Sequence, residues 1–536
     1  MTQTLLLSLT AFAVALFINS SELGGAVAVA CAKAAAALNA TARHRTILRC
    51  LIPIIIHIRN SGCRFAVKRD MVRFRVAALA ALSCLAAGAL AQGDPDVIAK
   101  IIDEGKTRNQ TRAHLEYLTE QIGARLTSSL ALQRACEWTA SQFRSFGLEN
   151  VELEQWGEWP VGFDRGRSHI GRMTAPEQRN FEFTTRSWTP GTNRLLVGRT
   201  VREPLTLEDA KRRTGRFNGA WILMNPRGTE GLPERDVRNE IWQALKAAGA
   251  LGKVASARNE LVLTGGSYNI KWDDLPTDVS ITVRKSDFEA AAANVDAGRI
   301  TILEFDLRQT MRQGPIANYN VIAEIRGTEK PDEVVIVSGH LDSWDGPGST
   351  GACDNGTGTM VALEAARLLM AAGAKPKRTI RFIMWTGEEQ GLHGSRRYVA
   401  MHADEMDMIS AVLVDDGGTN YSGGLRCIES MAPMLREATD PLNEAFPNMP
   451  VTIRVAERMP RGGGSDHASF NRVGVPGFFW NETGVADYRY IHHTQHDKLT
   501  AAINAYLIQS SVAAAVTAYN LACADTMLPR QIDEGN

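Results

Sequence analysis

Cysteine is scarce in this chain of 536 residues, and charge of either sign is not in excess. Of eight cysteines, only Cys136, Cys353, Cys427 and Cys523 follow Gln92. That is too few for a fold built on disulfides, so a packed interior must supply the stability. Bridges are optional even in an oxidising compartment, and Cys136 with Cys523 is one conceivable pair. The 59 basic side chains are matched by 59 acidic ones. After Ala91 the balance is 49 against 57, a net of −8, which offers no basic surface to nucleic acid. There is no P-loop and no dinucleotide fingerprint, and GTGTMV at 356–361 lacks the lysine that a phosphate loop needs. No G-x-S-x-G elbow presents a nucleophile, although Cys353 and Ser465 each stand beside an aspartate. Internal repeats and long low-complexity tracts are also absent.

The amino-terminal 91 residues have a different character, with 10 basic and 2 acidic side chains. From Met71, a basic start at Arg73 and Arg75, an apolar stretch and Ala89-Leu90-Ala91 read as a signal peptide over 71–91. The mature chain then begins near Gln92 and is secreted or periplasmic. Residues 1–70 are expected to be an upstream extension from a start assigned too early. The alternative is a membrane anchor at residues 4–18, which is short for a span of about 20 residues. No stable anchor is therefore expected.

Acidic and imidazole groups gather at the ends of apolar runs. The segments are VVIVSGHLDSW (334–344), GACDNGTG (351–358), WTGEEQGLHGS (385–395), VLVDDGGTN (412–420) and YIHHTQHDKL (490–499). VVIVSGH, RTIRFIMW and ISAVLV read as three buried strands. TGTMVALEAARLLMAAGA between them reads as a helix with Leu363, Ala366, Leu369 and Met370 on one face, stopped by Gly373 and Pro376. Alternating strands and helices imply an α/β fold with a largely parallel sheet, whose carboxyl edge is where sites form.

So many carboxylates and imidazoles are costly to bring together unless a cation neutralises them. Hydrolysis of an amide by two adjacent divalent cations would use this set, with one imidazole and one carboxylate on each ion and a carboxylate between them. The assignment is Asp354 as bridge, His340 and Asp416 on one ion, and Glu389 and His493 on the other. Glu388 is left free as general base, to take the proton from the attacking water and pass it to the leaving amine. Asp342 could turn back to hydrogen-bond the imidazole of His340. Nitrogen and oxygen donors without thiolate suit two zinc ions. Alone, each residue has an ordinary reading, because DNG is a common turn and EE a common solvated helix face. Together and in this order, they specify a site.

GHLDSW, CDNGTG, TGEEQGLHGS, GGGSDHASF followed by GVPGFFW, and HHTQHD resemble the co-catalytic di-zinc exopeptidases that include bacterial leucyl aminopeptidases and plasma glutamate carboxypeptidase (carboxypeptidase Q), the latter most of all. The resemblance covers roughly residues 319–500. Carried over position by position, it implies His340, Asp354, Glu389, Asp416 and His493 as zinc ligands and Glu388 as base. Asp415 remains an alternative to Asp416, and His492 to His493, although only His493 fits H-T-x-x-D ending at Asp497. The family lines its substrate pocket with the segment holding Asp466 and His467, which otherwise reads as a loop capping a helix. His393, His402 and His496 read as bystanders.

About 445 residues after Ala91 exceed one domain. Residues 92–160 hold helical patterns and a first strand, VELEQW. Residues 161–305 change texture, with strands such as GAWILMNP and DVSITVRKSDFEAAAANV among Gly-, Pro- and Arg-rich loops. Residues 306–536 resume the sheet at NYNVIAEIRG and carry the ligands. The resemblance implies that 161–305 is an inserted, β-rich protease-associated domain over the cleft. The expected activity is hydrolysis of dipeptides or short peptides. The competing readings are an aminopeptidase with the same metals, a glutaminyl cyclase-like enzyme and a metal-free receptor. The receptor would lack ligands that are present here, and the cyclase would have no use for His340. A homodimer is compatible with the sequence, which leaves the oligomeric state open.

Overall fold

The computed structural model of the protein describes residues 93–346 and 348–531. The signal segment at 71–91, Gln92 and residues 1–70 lie outside the described residues. Among the described residues, no helix is long and apolar enough to cross a membrane. In chain order, helices α1 (Pro95–Thr107), α2 (Thr111–Glu116) and α3 (Leu130–Phe146) precede a long strand, β1 (Glu149–Ala175). Strands β2 (Leu196–Arg202) and β3 (Ala220–Leu223) follow, then helix α4 (Arg235–Ala247), β4 (Gly252–Ser256), β5 (Ser280–Val283) and α5 (Lys285–Asp296). A second long strand, β6 (Ile302–Ile325), leads back to β7 (Lys330–His340), α6 (Thr357–Ala371), β8 (Arg378–Trp385), β9 (Ile409–Val414), β10 (Gly477–Phe479) and α7 (Asn504–Cys523).

One sheet holds the chain together, in the order β10-β9-β7-β8-β6-β2-β3-β4-β5, with β1 paired along β6. β7 runs parallel to β8 and β9, and β9 to β10. β6 is antiparallel to β8, β2 and β1. The fold is therefore mixed α/β with a largely parallel sheet flanked by helices, as the alternation of strand and helix patterns implied. The apolar β7 run is explained by its position between two parallel neighbours with both faces covered. Val335 and Val337 face a core shared with α3, α6 and α7, while Ile336 meets Ile383, Trp385 and Val412 on the other face.

Local chemistry sets the helix ends. The Ser129 hydroxyl accepts from Leu132 N at 3.0 Å to begin α3, and Gly147 at φ +89° ends it. α6 was expected to bury one face, but every residue from Thr357 to Leu369 is buried. Its two charged residues are accommodated by pairing: Arg367 Nη2 lies 2.8 Å from Glu364 and Arg367 Nη1 2.8 Å from Glu104. Gly358 lets the first turn of α6 touch the end of β9, because a Cβ there would stand 2.1 Å from the Asp415 carbonyl.

Positions 161 and 305 fall inside β1 and β6, which pair from Glu149↔Glu324 to Ala175↔Ile302. The outer segment, residues 176–301, extends the sheet through β2–β5, which run parallel to one another. Trp221, Leu223, Val254 and Phe288 pack on one face of it, and Ile222, Ile241 and Trp242 on the other. It carries helices as well as strands, in contrast to the expected β-rich texture. DVSITVRKSDFEAAAANV, read as strand, is β5 followed by helix α5. Its alanine run has strong helix propensity, and the edge beside β5 is taken by Phe183 and Thr184. Cys136, Cys353, Cys427 and Cys523 are all buried free thiols, so Cys136 and Cys523 are not bridged.

Candidate active site

Three parallel strands deliver side chains to one edge. His340 ends β7 in register with Trp385, the last residue of β8. The chain leaving β8 carries Glu388 and Glu389, and the chain leaving β9 carries Asp415 and Asp416. Asp354 comes from the turn before α6 and His493 from the loop ahead of α7.

His340 Nε2 lies 3.0 Å from Asp416 Oδ1 and 3.4 Å from Asp354 Oδ1. His493 Nε2 lies 2.9 Å from Glu389 Oε2 and 3.1 Å from Asp354 Oδ2. The two oxygens of Asp354 thus face two different His–carboxylate pairs. Asp354 Oδ2 is buried and receives no hydrogen bond of good geometry. An orphaned anionic oxygen among imidazoles and carboxylates suits a divalent cation, so the residues fit two such ions. Glu388 stands 3.9 Å from His340 Nε2, outside both pairs.

The same geometry separates the alternatives that sequence left open. Asp415 turns away from the cluster, toward Ser422 Oγ at 3.4 Å and the carboxyl of Glu482, and burial raises it to about 7. His492 Nε2 is 3.6 Å from Asp354 Oδ2, and its ring stacks on His493 at 3.8 Å. Asp416 and His493 are the closer pair.

Burial and like charge dominate the electrostatics. Burial raises Glu389 to about 7, reinforced by Asp354, and raises Glu388 well above the usual carboxylate range, reinforced by Asp416 and Asp466. Burial would lower His493, yet Asp354 and Glu389 hold it near 10. Burial likewise opposes charge on His340, but Asp416 and Glu388 raise it well above the ordinary imidazole range. Carboxylates thus favour the charged imidazoles, and burial disfavours the charged carboxylates.

A model of peptidase family M28 matches residues 320–518. Carboxypeptidase Q of Bos taurus is 30% identical over 451 residues, covering 81% of this chain and 90% of the relative. The chain belongs to peptidase family M28. Carboxypeptidase Q of Mus musculus is 28% identical over 437 residues, covering 80% and 88% respectively. The crystal structure of a peptidase M28 precursor from Shewanella amazonensis SB2B shares the fold, with a TM-score of 0.58, 23% identity, and coverage of 82% of this chain and 98% of that one. The protein is a metallopeptidase, and peptides are its substrates.

In this M28 peptidase, Asp342 does more than face His340. The imidazole Nδ1 is nearer to the Asp342 carbonyl, at 3.0 Å, than to its carboxylate, at 3.5 Å. The carboxylate accepts from the backbone N–H groups of Glu388 at 3.2 Å and Glu389 at 3.3 Å, and so fixes the turn that carries both glutamates. Asp466 is fully buried within electrostatic reach of Glu388 and Asp416, and burial raises it to about 7. His467 is buried against Phe479, which lowers it to about 4 and leaves a neutral ring. The bystander histidines lie elsewhere: His393 stacks on Trp156, His496 on Tyr490, and His402 bridges Glu154 and Glu405.

Sequence reasoning passed over Arg125, which is wholly buried behind the site and donates to the carbonyls of Leu341, Gly123, Thr350 and Gly351 at 2.6–3.2 Å. No motif flags an arginine that acts on backbone carbonyls. Asp497, the last residue of H-T-x-x-D, accepts from Cys353 N at 2.6 Å and ties the His493 loop to the Asp354 turn. The Trp344 backbone N–H donates to Glu389 Oε1 at 3.1 Å, and the Trp344 ring stands 6.4 Å from that of His493. Both residues lay in quoted motifs, so a signal existed, though not one that assigned a role.

Proposed function

We propose that this M28 peptidase is a secreted or periplasmic exopeptidase that uses two zinc ions to cleave dipeptides or short peptides, in the manner that the name of its carboxypeptidase Q relatives indicates. The observation that carries the reading is Asp354, whose two carboxylate oxygens each face a separate His–carboxylate pair. His340 and Asp416 would hold one ion, Glu389 and His493 the other, and Asp354 both. Zinc, when bound, supplies the positive charge that polarises the scissile carbonyl and acidifies water.

Glu388 is the general base. It lies beside the ligands without belonging to either pair, it is buried among like charges, and its turn is pinned by Asp342. Such a carboxylate can accept a proton from water and return it to the leaving amine. Asp466 and His467 bind substrate, and the neutral His467 ring adds a polar atom without competing charge. Residues 161–305 act as a protease-associated domain bounding the cleft. In support, Trp188 of that segment meets Trp344, which in turn faces His493.

The test is a panel of free dipeptides beside amino-blocked and carboxyl-blocked analogues, with metal analysis of the same preparation. We expect about two zinc ions per chain, loss of turnover on chelation, and cleavage that survives amino blocking but not carboxyl blocking. The opposite blocking pattern would make the enzyme an aminopeptidase, and full activity with one ion would remove Asp354 as bridge. For location, intact mass of protein secreted by a bacterial host is expected to begin at Gln92.

A further inference from the structure

The loop that carries His493 is held from two sides. On the sheet side, the Asp497 carboxylate accepts from Cys353 N, and Thr350 N donates to the Asp497 carbonyl at 2.9 Å. On the other side, backbone hydrogen bonds come from the outer segment. Thr264 N donates to the His493 carbonyl at 2.8 Å, and Gln495 N donates to the Val262 carbonyl at 3.2 Å. Leu263 and Thr494 form an isolated antiparallel bridge between these bonds.

The Gln495 side chain completes the clasp. Its Oε1 accepts from Val262 N at 2.7 Å, and its Nε2 donates to Glu182 Oε2 and to the Glu260 carbonyl, both at 3.0 Å. Gln495 is 4% exposed, so its amide is shielded from water. Glu182 is itself fixed by Arg284 at 2.8 Å. A buried amide that uses its acceptor and both donors on another part of the fold is a positional device, because any shift orphans several polar groups at once.

The reason such a device is needed lies in the His493 backbone. His493 sits at φ +54°, a left-handed conformation that costs a side-chain-bearing residue about 1–2 kcal/mol and persists only where the surroundings enforce it. That conformation brings the imidazole to both Asp354 and Glu389.

We propose that Gln495 is a positioning residue through which the outer segment fixes His493 and thereby sets the affinity of one metal site. The proposal rests on the reading of His493 as a ligand. Binding of that ion and placement of residues 260–264 are then a single equilibrium, so a change in the outer segment is felt as a change in metal affinity.

The experiment measures both zinc dissociation constants by chelator competition, with kcat and KM at saturating zinc, for Gln495→Ala, Gln495→Glu, the double variant Gln495→Glu/Glu182→Gln, and His493→Ala. Gln495→Ala should weaken one site about 10- to 100-fold and leave the other unchanged, with kcat recovering as zinc is raised. Gln495→Glu should weaken the same site more, because its carboxylate faces Glu182 and the Glu260 carbonyl. The double variant should recover part of the affinity, since an amide in place of the Glu182 carboxylate can donate where that carboxylate only accepts. Unchanged zinc affinities in Gln495→Ala, with only a lower melting temperature, would overturn the clamp and leave His493 a ligand. Two intact sites in His493→Ala would overturn the ligand reading itself.

Discussion

At one end of the sheet, β9, β7 and β8 run parallel and lead into Asp415-Asp416, His340 and Glu388-Glu389. At the other end, β2, β3, β4 and β5 run parallel and lead into Glu203, Met224-Asn225, Ala257 and Arg284. Both ends are layered between helices, and both have carboxylates near the strand ends. The difference is in how those carboxylates are neutralised. In the outer segment, Glu203 is paired with Arg238, and Asp287 with Arg179 and Arg284. At the site, Asp354, Asp416, Glu388 and Glu389 each stand against a histidine. Parallel architecture supplies an edge on which polar groups converge. Carboxylates gathered at that edge and faced by imidazoles give a cation a reason to bind there.

The sharpest way to break this contrast is Glu388→Gln, which keeps side-chain shape and removes the proton acceptor. Turnover should fall roughly 100- to 10,000-fold with zinc content unchanged, whereas Glu389→Gln should lose zinc and regain part of its activity when zinc is added. Asn225→Ala, at the matching strand end of the outer segment, should leave turnover alone. Zinc stoichiometry with steady-state rates decides it, and if Glu388→Gln loses zinc while Glu389→Gln keeps it, the two roles are reversed.

A second contrast concerns buried against exposed cations. Arg125→Met removes a fully buried guanidinium from four carbonyls and should cost about 3–5 kcal/mol in denaturant unfolding. Arg202→Met breaks a partly exposed pair with Asp296 and should cost less than about 1 kcal/mol. Equal losses would mean that Arg125 has no special part in holding the site loops.

Packing gives a third and smaller difference. Gly358→Ala forces a methyl group against the Asp415 carbonyl and should cost about 1–3 kcal/mol while weakening metal binding through Asp416. Gly215→Ala in the outer segment meets nothing within 4 Å and should change stability by less than about 0.5 kcal/mol. Thermal melts with and without zinc separate the two.

The smallest effect is one of pH. His402 is raised to about 9, first by its hydrogen bond to Glu154 and then by Glu405. A raised imidazole contributes stability that is complete below its unfolded pKa of about 6.5 and is lost as pH rises through about 9. His402→Gln should therefore destabilise by up to about 1 kcal/mol at pH 6 and by almost nothing at pH 10, after screening. The Arg202–Asp296 pair of the outer segment carries no imidazole, so Arg202→Met should show no such window. A His402→Gln deficit that is flat from pH 6 to pH 10 would remove the ion pair as its cause.

Much of the site was legible because its chemistry is written in short strings at strand ends. β7, β8, β9 and α6 lie where their apolar runs placed them, and His340, Asp354, Glu389, Asp416 and His493 stand within 3.4 Å of one another pair by pair. The outer segment was less legible, since an alanine-rich stretch after a strand reads ambiguously until its packing partners are known. Arg125 and Gln495 were invisible for a different reason. Each acts on backbone groups more than 200 residues away, and a backbone carbonyl or N–H has no signature in sequence.

The sequence by itself determined the alternation that makes a parallel sheet, and the residue types that gather at its carboxyl edge, because burial patterns and turn chemistry are local. Only the tertiary structure turns Asp415 toward Ser422 and Asp416 toward His340, sets His493 closer than His492 to Asp354, and shows which part of the chain holds His493 in its left-handed conformation. Neighbouring side chains differ in direction rather than in composition. Direction is set by register and by contacts between segments far apart in the chain.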